Sequence, residues 1–273
     1  MEPMTAIVLG AIQGLTEFLP VSSSGHLVLF QYLFGLREAE LFFDISVHVG
    51  TLGAVVIFFR REIGTILLSL LRAAARLMRK QISFGDAWAE ADIRLAMLIV
   101  LGSVPTAVIG LLFHRISDQL FSSVGLVGVT LIVTGTLLWG TRRIARRGRG
   151  INGFSVPKAV AIGAVQGLAI IPGISRSGST IAAGLFLGLE RGMAARFSFL
   201  LSIPAIIGAE ILSLKELGPS QHADMAILAG TATAFVVGYL SLAMLMYVVR
   251  RGRMHLFAPY CWVVGVIALA IAW

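Results

Sequence analysis

Two short stretches of an otherwise apolar chain collect the residue types that handle phosphate. The first runs Gln13-Gly-Leu-Thr-Glu17-Phe-Leu-Pro20-Val-Ser22-Ser23-Ser24-Gly25-His26, the second Pro172-Gly-Ile-Ser175-Arg176-Ser177-Gly178-Ser179-Thr180. Gln13 and Glu17 are four residues apart, so a helix presents both on one face. Glu17 then sits just before the helix break expected at Pro20. A carboxylate in such an apolar setting is costly and usually faces a cavity; a structural glutamate bonded to backbone amides is the alternative. His26 is open to two readings, a proton-transfer group or a satisfied core histidine. In the second stretch a Gly/Ser-rich turn opens a helix, whose free N–H groups and dipole favour an anion. Arg176 adds a planar fork of donors matched to phosphate oxygens. An ion pair with Glu17 is the other reading of Arg176, and a phosphate ligand is compatible with it.

Together these residues fit phosphoryl transfer, which needs charge neutralisation, a hydroxyl nucleophile and a general acid–base. The expected catalytic set is Glu17, Ser23, His26 and Arg176. Ser23 is the candidate nucleophile or water-orienting hydroxyl, and His26 its proton partner. Glu17 is a base or the ligand of a divalent cation. Gln13, Ser22, Ser24, Gly25, Ser175, Ser177, Gly178 and Thr180 are the expected substrate-binding positions. No His/Cys cluster has zinc-ligand spacing and no Walker loop is present.

The elements that must hold these stretches are membrane helices. Of the 273 residues 57% are apolar and only 13% charged, against roughly 25% charged in a soluble domain. Runs at 93–113, 121–140 and 225–249 reach the ~20 residues that span a bilayer. The opening residues lack a basic n-region, so the first segment is expected to belong to the mature fold. Cys261 is the single cysteine, which excludes an internal disulfide. Apolar helical segments are expected at 4–20, 25–36, 42–60, 93–113, 121–140, 156–171, 178–189, 194–214, 225–249 and 256–272. Those at 25–36 and 178–189 are only about 18 Å long as helices. Each follows another segment across a Pro/Ser/Gly loop, which predicts two re-entrant pairs and six full spans.

Residues 10–36 align without gaps onto 163–189. Gly10-Ala11-x-Gln13-Gly14-Leu15 recurs as Gly163-Ala164-x-Gln166-Gly167-Leu168, and Ser22-x-Ser24-Gly25 as Ser175-x-Ser177-Gly178. The chain therefore reads as one membrane domain, 1–273, with repeat A at about 4–140 and repeat B at about 156–273. The arginine-rich connections at 60–92, 141–158 and 250–253, with Arg191 and Arg196, are placed in the cytoplasm by the positive-inside rule. The formal charge of +8 is thereby a topology signal and not a nucleic-acid footprint. Three spans per half invert the second repeat, so the loops enter from opposite sides and meet in the bilayer interior. Inverted repeats with broken helices at a central site characterise many transporters.

The two motifs, in register with the repeat, resemble the signatures of the bacterial undecaprenyl-diphosphate phosphatases of the bacitracin-resistance family. The resemblance covers essentially the whole chain, including Gly-Leu-Leu-Phe-His at 110–114. It implies a multi-pass enzyme of the bacterial plasma (inner) membrane. That enzyme removes one phosphate from undecaprenyl diphosphate and regenerates the carrier for peptidoglycan synthesis, conferring bacitracin resistance. Glu17, Ser23, His26, Ser175, Arg176 and Thr180 match the family's implicated residues; Gln13 stands where some members carry Glu. A divalent cation (Mg2+ or Ca2+) is the implied cofactor, with weaker metal dependence expected from Gln13. The implied partners are the polyprenyl diphosphate, the bilayer and a homodimer mate. A polyprenyl-phosphate transporter using the same loops is the rival reading.

Other polar residues carry lower weight. Asp44 and His48 are expected to cap or pack their helix, and His114 and His222 to be solvated in outside loops. Glu210 is placed at the outer interface, with a second polar pathway as the alternative. The stretch 63–80 reads as an amphipathic interfacial helix.

Overall fold

The computed structural model describes residues 2–34, 41–114, 120–121, 123–144, 148–216 and 224–273. Arg37, Arg115, Arg146, Arg147 and His222 lie outside the described residues, as does the side chain of His114. The helices are α1 (Pro3–Phe18), α2 (Ser23–Phe34), α3 (Leu41–Phe58), α4 (Arg60–Met78), α5 (Phe84–Ala89) and α6 (Ala91–His114). After these come α7 (Val124–Gly140), α8 (Val156–Leu168), α9 (Arg176–Phe186), α10 (Arg191–Glu216), α11 (Met225–Arg250) and α12 (Ala258–Ala272).

Among the described residues, five helices are long and apolar enough to cross a membrane, six when the bent pair α3–α4 counts as one. The protein is a multi-pass membrane protein. On α6, Val100, Val104, Val108 and Leu111 all stay exposed. They fall on one helical face, which in a bilayer meets lipid chains. The helix α4 turns 72° away from α3 and leaves Leu67, Leu68, Leu71 and Met78 uncovered. That is the amphipathic helix expected at 63–80. Sequence reading had no counterpart for α5, which is held by a capping box between Ser83 and Asp86.

The short helices form two pairs, α1 with α2 and α8 with α9, each joined across a Ser/Gly loop. Pro3 starts α1, and Leu19 is already extended ahead of Pro20, as the residue before proline prefers. In the second pair, Ser175 caps α9 by accepting the Gly178 amide. Helices of 16, 12, 13 and 11 residues reach at most about 24 Å at 1.5 Å per residue. None crosses a ~30 Å core alone.

Packing follows the repeat reciprocally. The first helix of repeat A, α1, lies on α11 of repeat B, while the first helix of repeat B, α8, lies on α6 of repeat A. Both crossings use the same small residue. A Cβ on Gly10 would stand 2.2 Å from the Gly230 carbonyl oxygen, and one on its counterpart Gly163 would stand 1.8 Å from that of Gly102. Such backbone-to-backbone approach is how membrane helices associate tightly without a hydrophobic driving force between them. The last helices, α7 and α12, pack on each other. Between the halves, Phe18 meets Phe199 edge-on at 5.9 Å, and both are fully buried. That contact fixes the end of α1, one residue beyond Glu17.

Candidate active site

The two Ser/Gly loops interlock. Gly25 faces the backbone of Gly173, a Cβ there standing 3.0 Å from its Cα; Gly178 faces the Pro20 ring at 3.1 Å. Pro20 and Gly173 are repeat counterparts, as are Gly25 and Gly178, so the contact is made twice. The Ser22 hydroxyl accepts the amides of Gly25 (3.2 Å) and Gly173 (3.1 Å), and Ser177 donates to the Phe18 carbonyl at 2.8 Å.

The last helix of each repeat anchors one loop. On α7, Thr130 donates to the Pro172 carbonyl (2.6 Å) and Thr134 to that of Gly173 (2.9 Å). On α12, the Cys261 thiol reaches the Pro20 carbonyl at 3.5 Å. Ser22 itself has φ +70°, a left-handed conformation costing a non-glycine residue about 1–3 kcal/mol. Its two amide bonds hold it there, together with a carbonyl that accepts from His26 N and pairs with Nδ1.

Glu17 is at the centre and is buried. Its Oε1 accepts from the Arg176 guanidinium. Its Oε2 accepts from Ser23 Oγ at 2.7 Å and from Gln13 Nε2 at 3.1 Å. His48 Nε2 stands 3.9 Å from Oε2. Arg176 is the first residue of α9 and Ser23 the first of α2. The N-terminal ends of two short helices therefore converge beside the guanidinium, each adding positive partial charge and free amides. A carboxylate, a hydroxyl bonded to it and a cationic fork lie within one constellation. It can hold a phosphate and deprotonate a hydroxyl beside it.

Not every expected residue faces this point. The hydroxyls of Ser22, Ser175, Ser177 and Thr180 are buried. Thr180 is occupied with the Arg176 carbonyl (2.7 Å) and Ser198 (2.5 Å). These side chains hold the loops in shape, whereas Ser23 and Ser24 are partly open. His26 does not pair with Ser23, contrary to expectation. Its Nδ1 lies 2.7 Å from the Ser22 carbonyl and its Nε2 2.7 Å from the Tyr260 hydroxyl. A carbonyl only accepts, so Nδ1 carries the proton and Nε2 accepts from Tyr260. The rings stack at 5.7 Å. Glu17 is the hydrogen-bond partner of Ser23 instead.

His48 and Tyr260 were missed as site residues. The Asp44–His48 spacing signals a local bond, and His48 Nδ1 does meet the Asp44 carbonyl at 2.8 Å; only packing turns Nε2 toward Glu17. Tyr260 has the position of an interfacial aromatic. Glu210, expected at the outer interface, lies within electrostatic reach of His48 and Glu17.

No three His, Cys, Asp or Glu side chains converge among the described residues. Gln13 uses its amide to donate to Glu17 and adds no second carboxylate. The donor set therefore fits a cation only in the pattern of Mg2+, one carboxylate supplemented by substrate phosphate oxygens and water.

Fold and site define an integral membrane protein in which a buried carboxylate, a serine hydroxyl and a guanidinium meet between two interlocking Ser/Gly loops. Residues 6–267 match the profile of the bacitracin resistance protein BacA. The chain is 57% identical over 273 residues, covering 99% of both chains, to an undecaprenyl-diphosphatase of Desulfosudis oleivorans. It is 54% identical, covering 98% of both chains, to that of Desulforapulum autotrophicum. A relative of the same name from Desulfatibacillum aliphaticivorans is 47% identical, again over 98% of both. The chain belongs to the BacA family of bacitracin resistance proteins.

Proposed function

We propose that this protein hydrolyses undecaprenyl diphosphate to undecaprenyl phosphate and phosphate, recycling the carrier for peptidoglycan synthesis and conferring bacitracin resistance. The observation that carries the mechanism is the 2.7 Å bond from Ser23 Oγ to Glu17 beside the Arg176 guanidinium. An arriving diphosphate draws Arg176 and the α2 and α9 amides onto its oxygens, leaving Glu17 to take the Ser23 proton. Ser23 Oγ then forms a bond to the terminal phosphorus as the bridging P–O bond breaks and undecaprenyl phosphate departs. Water hydrolyses the phosphoserine, releasing phosphate and restoring Ser23. Alternatively Ser23 orients a water that attacks directly. The N–H groups and Arg176 stabilise the charge of the transferring phosphoryl group. His26, held by Tyr260 and Ser22, shapes the loop instead of exchanging a proton with Ser23.

A divalent cation, Mg2+ or Ca2+, would be held by Glu17 with diphosphate oxygens and would supply charge neutralisation. The Ser23–Glu17 pairing is a feature that lipid carriage does not require, which favours the phosphatase over the transporter. The protein is proposed to reside in the bacterial plasma membrane as two repeats, about 4–140 and 156–273, and to pair as a homodimer. Crosslinking in intact membranes reads the pairing, a band at twice the monomer mass being the expected result.

The test is phosphate release from undecaprenyl diphosphate by purified protein in detergent, with and without EDTA. Release is expected in both samples, faster with the cation present. Folded protein that releases none under either condition overturns the reading.

A further inference from the structure

Seven arginines on the side assigned to the cytoplasm gather around one trough. It consists of two adjoining cavities, 790 and 620 Å3, that share Glu190, Gly192 and Arg250. Arg191, Arg251 and Arg253 line the first, and Arg60, Arg61 and Arg196 line the second; Glu62 and Glu190 are the only acids lining either. One acid is already engaged, Glu62 Oε1 lying 3.2 Å from Arg196 Nε as an ion pair. Arg61, Arg250 and Arg253 have no side-chain partner among the described residues. The excess positive charge therefore faces the cavity uncompensated.

Membrane topology asks for arginines on this side. It does not ask for a concave arrangement, and this one is built. Gly252 has φ +70°, and a Cβ there would stand 2.2 Å from the Arg191 guanidinium carbon. The positive φ favours glycine there, and the Arg191 guanidinium packs over its bare backbone, donating to the Ile144 carbonyl at 3.3 Å. The bare backbone of Gly192 has nothing within 4 Å of a Cβ position and so opens into the cavity. Beside the arginines the second cavity is lined by Phe58, Phe59, Met193 and Met246, of which Phe59, Met193 and Met246 are buried core residues. A basic lining beside an apolar one, at the end of membrane helices, matches an amphiphile with an anionic head.

The trough is separate from the hydrolytic centre. The 11 residues of α9, about 16 Å of helix, separate Arg176 from the turn leading to Glu190.

We propose that this trough binds the phosphate headgroup of an anionic phospholipid, with Arg250, Arg253 and Arg191 on the phosphate and the acyl chains against the Phe58–Met246 lining. The site is independent of the diphosphate chemistry.

The test is native mass spectrometry of the full chain titrated with phosphatidylglycerol or phosphatidylcholine. Two variants separate charge from shape: Arg250→Gln/Arg253→Gln removes charge, and Gly192→Leu fills the cavity at constant charge. Phosphatidylglycerol is expected to bind in preference to phosphatidylcholine, and each variant to weaken it about tenfold. Both variants are expected to release phosphate from undecaprenyl diphosphate at the wild-type rate, which shows that they are folded. Equal retention of the two lipids, or phosphatidylglycerol binding untouched by either variant, overturns the proposal. So does displacement of the lipid by millimolar inorganic phosphate, which would make the trough a site for a free anion.

Discussion

In the first loop Ser22 accepts the Gly25 amide at 3.2 Å and lies 3.3 Å from Ser24; in the second, Ser175 accepts the Gly178 amide at 3.1 Å and lies 3.3 Å from Ser177. At these aligned positions the loops have the same residues and do the same work, capping a short helix and turning the chain inside the membrane. Among the positions where they part company, three carry reactive groups. Glu17 aligns with Ile170, Ser23 with Arg176, and His26 with Ser179. These unlike pairs supply the carboxylate, the hydroxyl, the guanidinium and the imidazole. Shared residues build a symmetric frame. The asymmetric ones place the Ser23 hydroxyl in one loop and the Arg176 guanidinium in the other.

This comparison is broken most severely by changing an asymmetric position. Arg176→Ala is expected to lower kcat/KM by about 10³-fold while the protein keeps its folded elution profile in detergent. Arg176→Lys keeps the charge but not the fork and should recover only part of that loss. Wild-type phosphate release from Arg176→Ala would remove the arginine from the mechanism. Glu17→Gln keeps a hydrogen-bonding group but no base, and a fall of about 10²–10⁴-fold in kcat is expected. Ser23→Ala separates the two roles open to the serine. Trapping of a radiolabelled phosphoenzyme in wild type and its absence in the variant mark a nucleophile; residual turnover with no trapped species marks a water-orienting hydroxyl.

Symmetric positions should behave differently, costing stability in both repeats alike. Ser175→Ala loses a helix cap, worth about 0.5–2 kcal/mol, read as a lowered Tm with turnover only partly reduced. Gly10→Ala and Gly163→Ala each force two helix backbones apart and should destabilise by about 1–3 kcal/mol. A large difference between those two in thermal unfolding would contradict the reciprocal packing. The smallest effect is expected far from both loops. Ser83's hydroxyl and amide hold the Asp86 carboxyl below its ordinary value of 3.8. A depressed folded-state value stabilises α5 above the unfolded pKa, and this is lost as pH falls through the lower folded value. Hydrogen exchange at α5 should therefore quicken in that acidic range, and Ser83→Ala, which keeps the backbone amide bond, should weaken the dependence without touching phosphate release.

Much of this was legible in the chain. The positions of five spans follow from apolar length, because lipid demands internally bonded helices of fixed extent. The two short pairs and the repeat follow from loop composition and register, since polar residues recurring in step within apolar segments need a common structural cause. Glu17 and Arg176 stood out because charge is expensive at that depth. Those signals are local, carried by residue type and spacing along one helix or turn.

Tertiary structure alone decided which groups meet. Ser23 bonds Glu17, six residues back across the loop, while His26 turns to Tyr260, which is 234 residues away. His48 shows the same limit: its local bond to Asp44 was readable, but its approach to Glu17 depends on where α3 packs. Thr130, Thr134 and Cys261 anchor the loops from the last helix of each repeat, and nothing in their own neighbourhood marks them. The arginines of the trough read one by one as topology signals, and only the convergence of α3, α4, α10 and α11 makes them a cavity. The physical reason is common to all of these cases. Segment type and membrane depth depend on the chain's own composition, whereas a hydrogen bond a few ångströms long depends on the packing of helices distant in sequence.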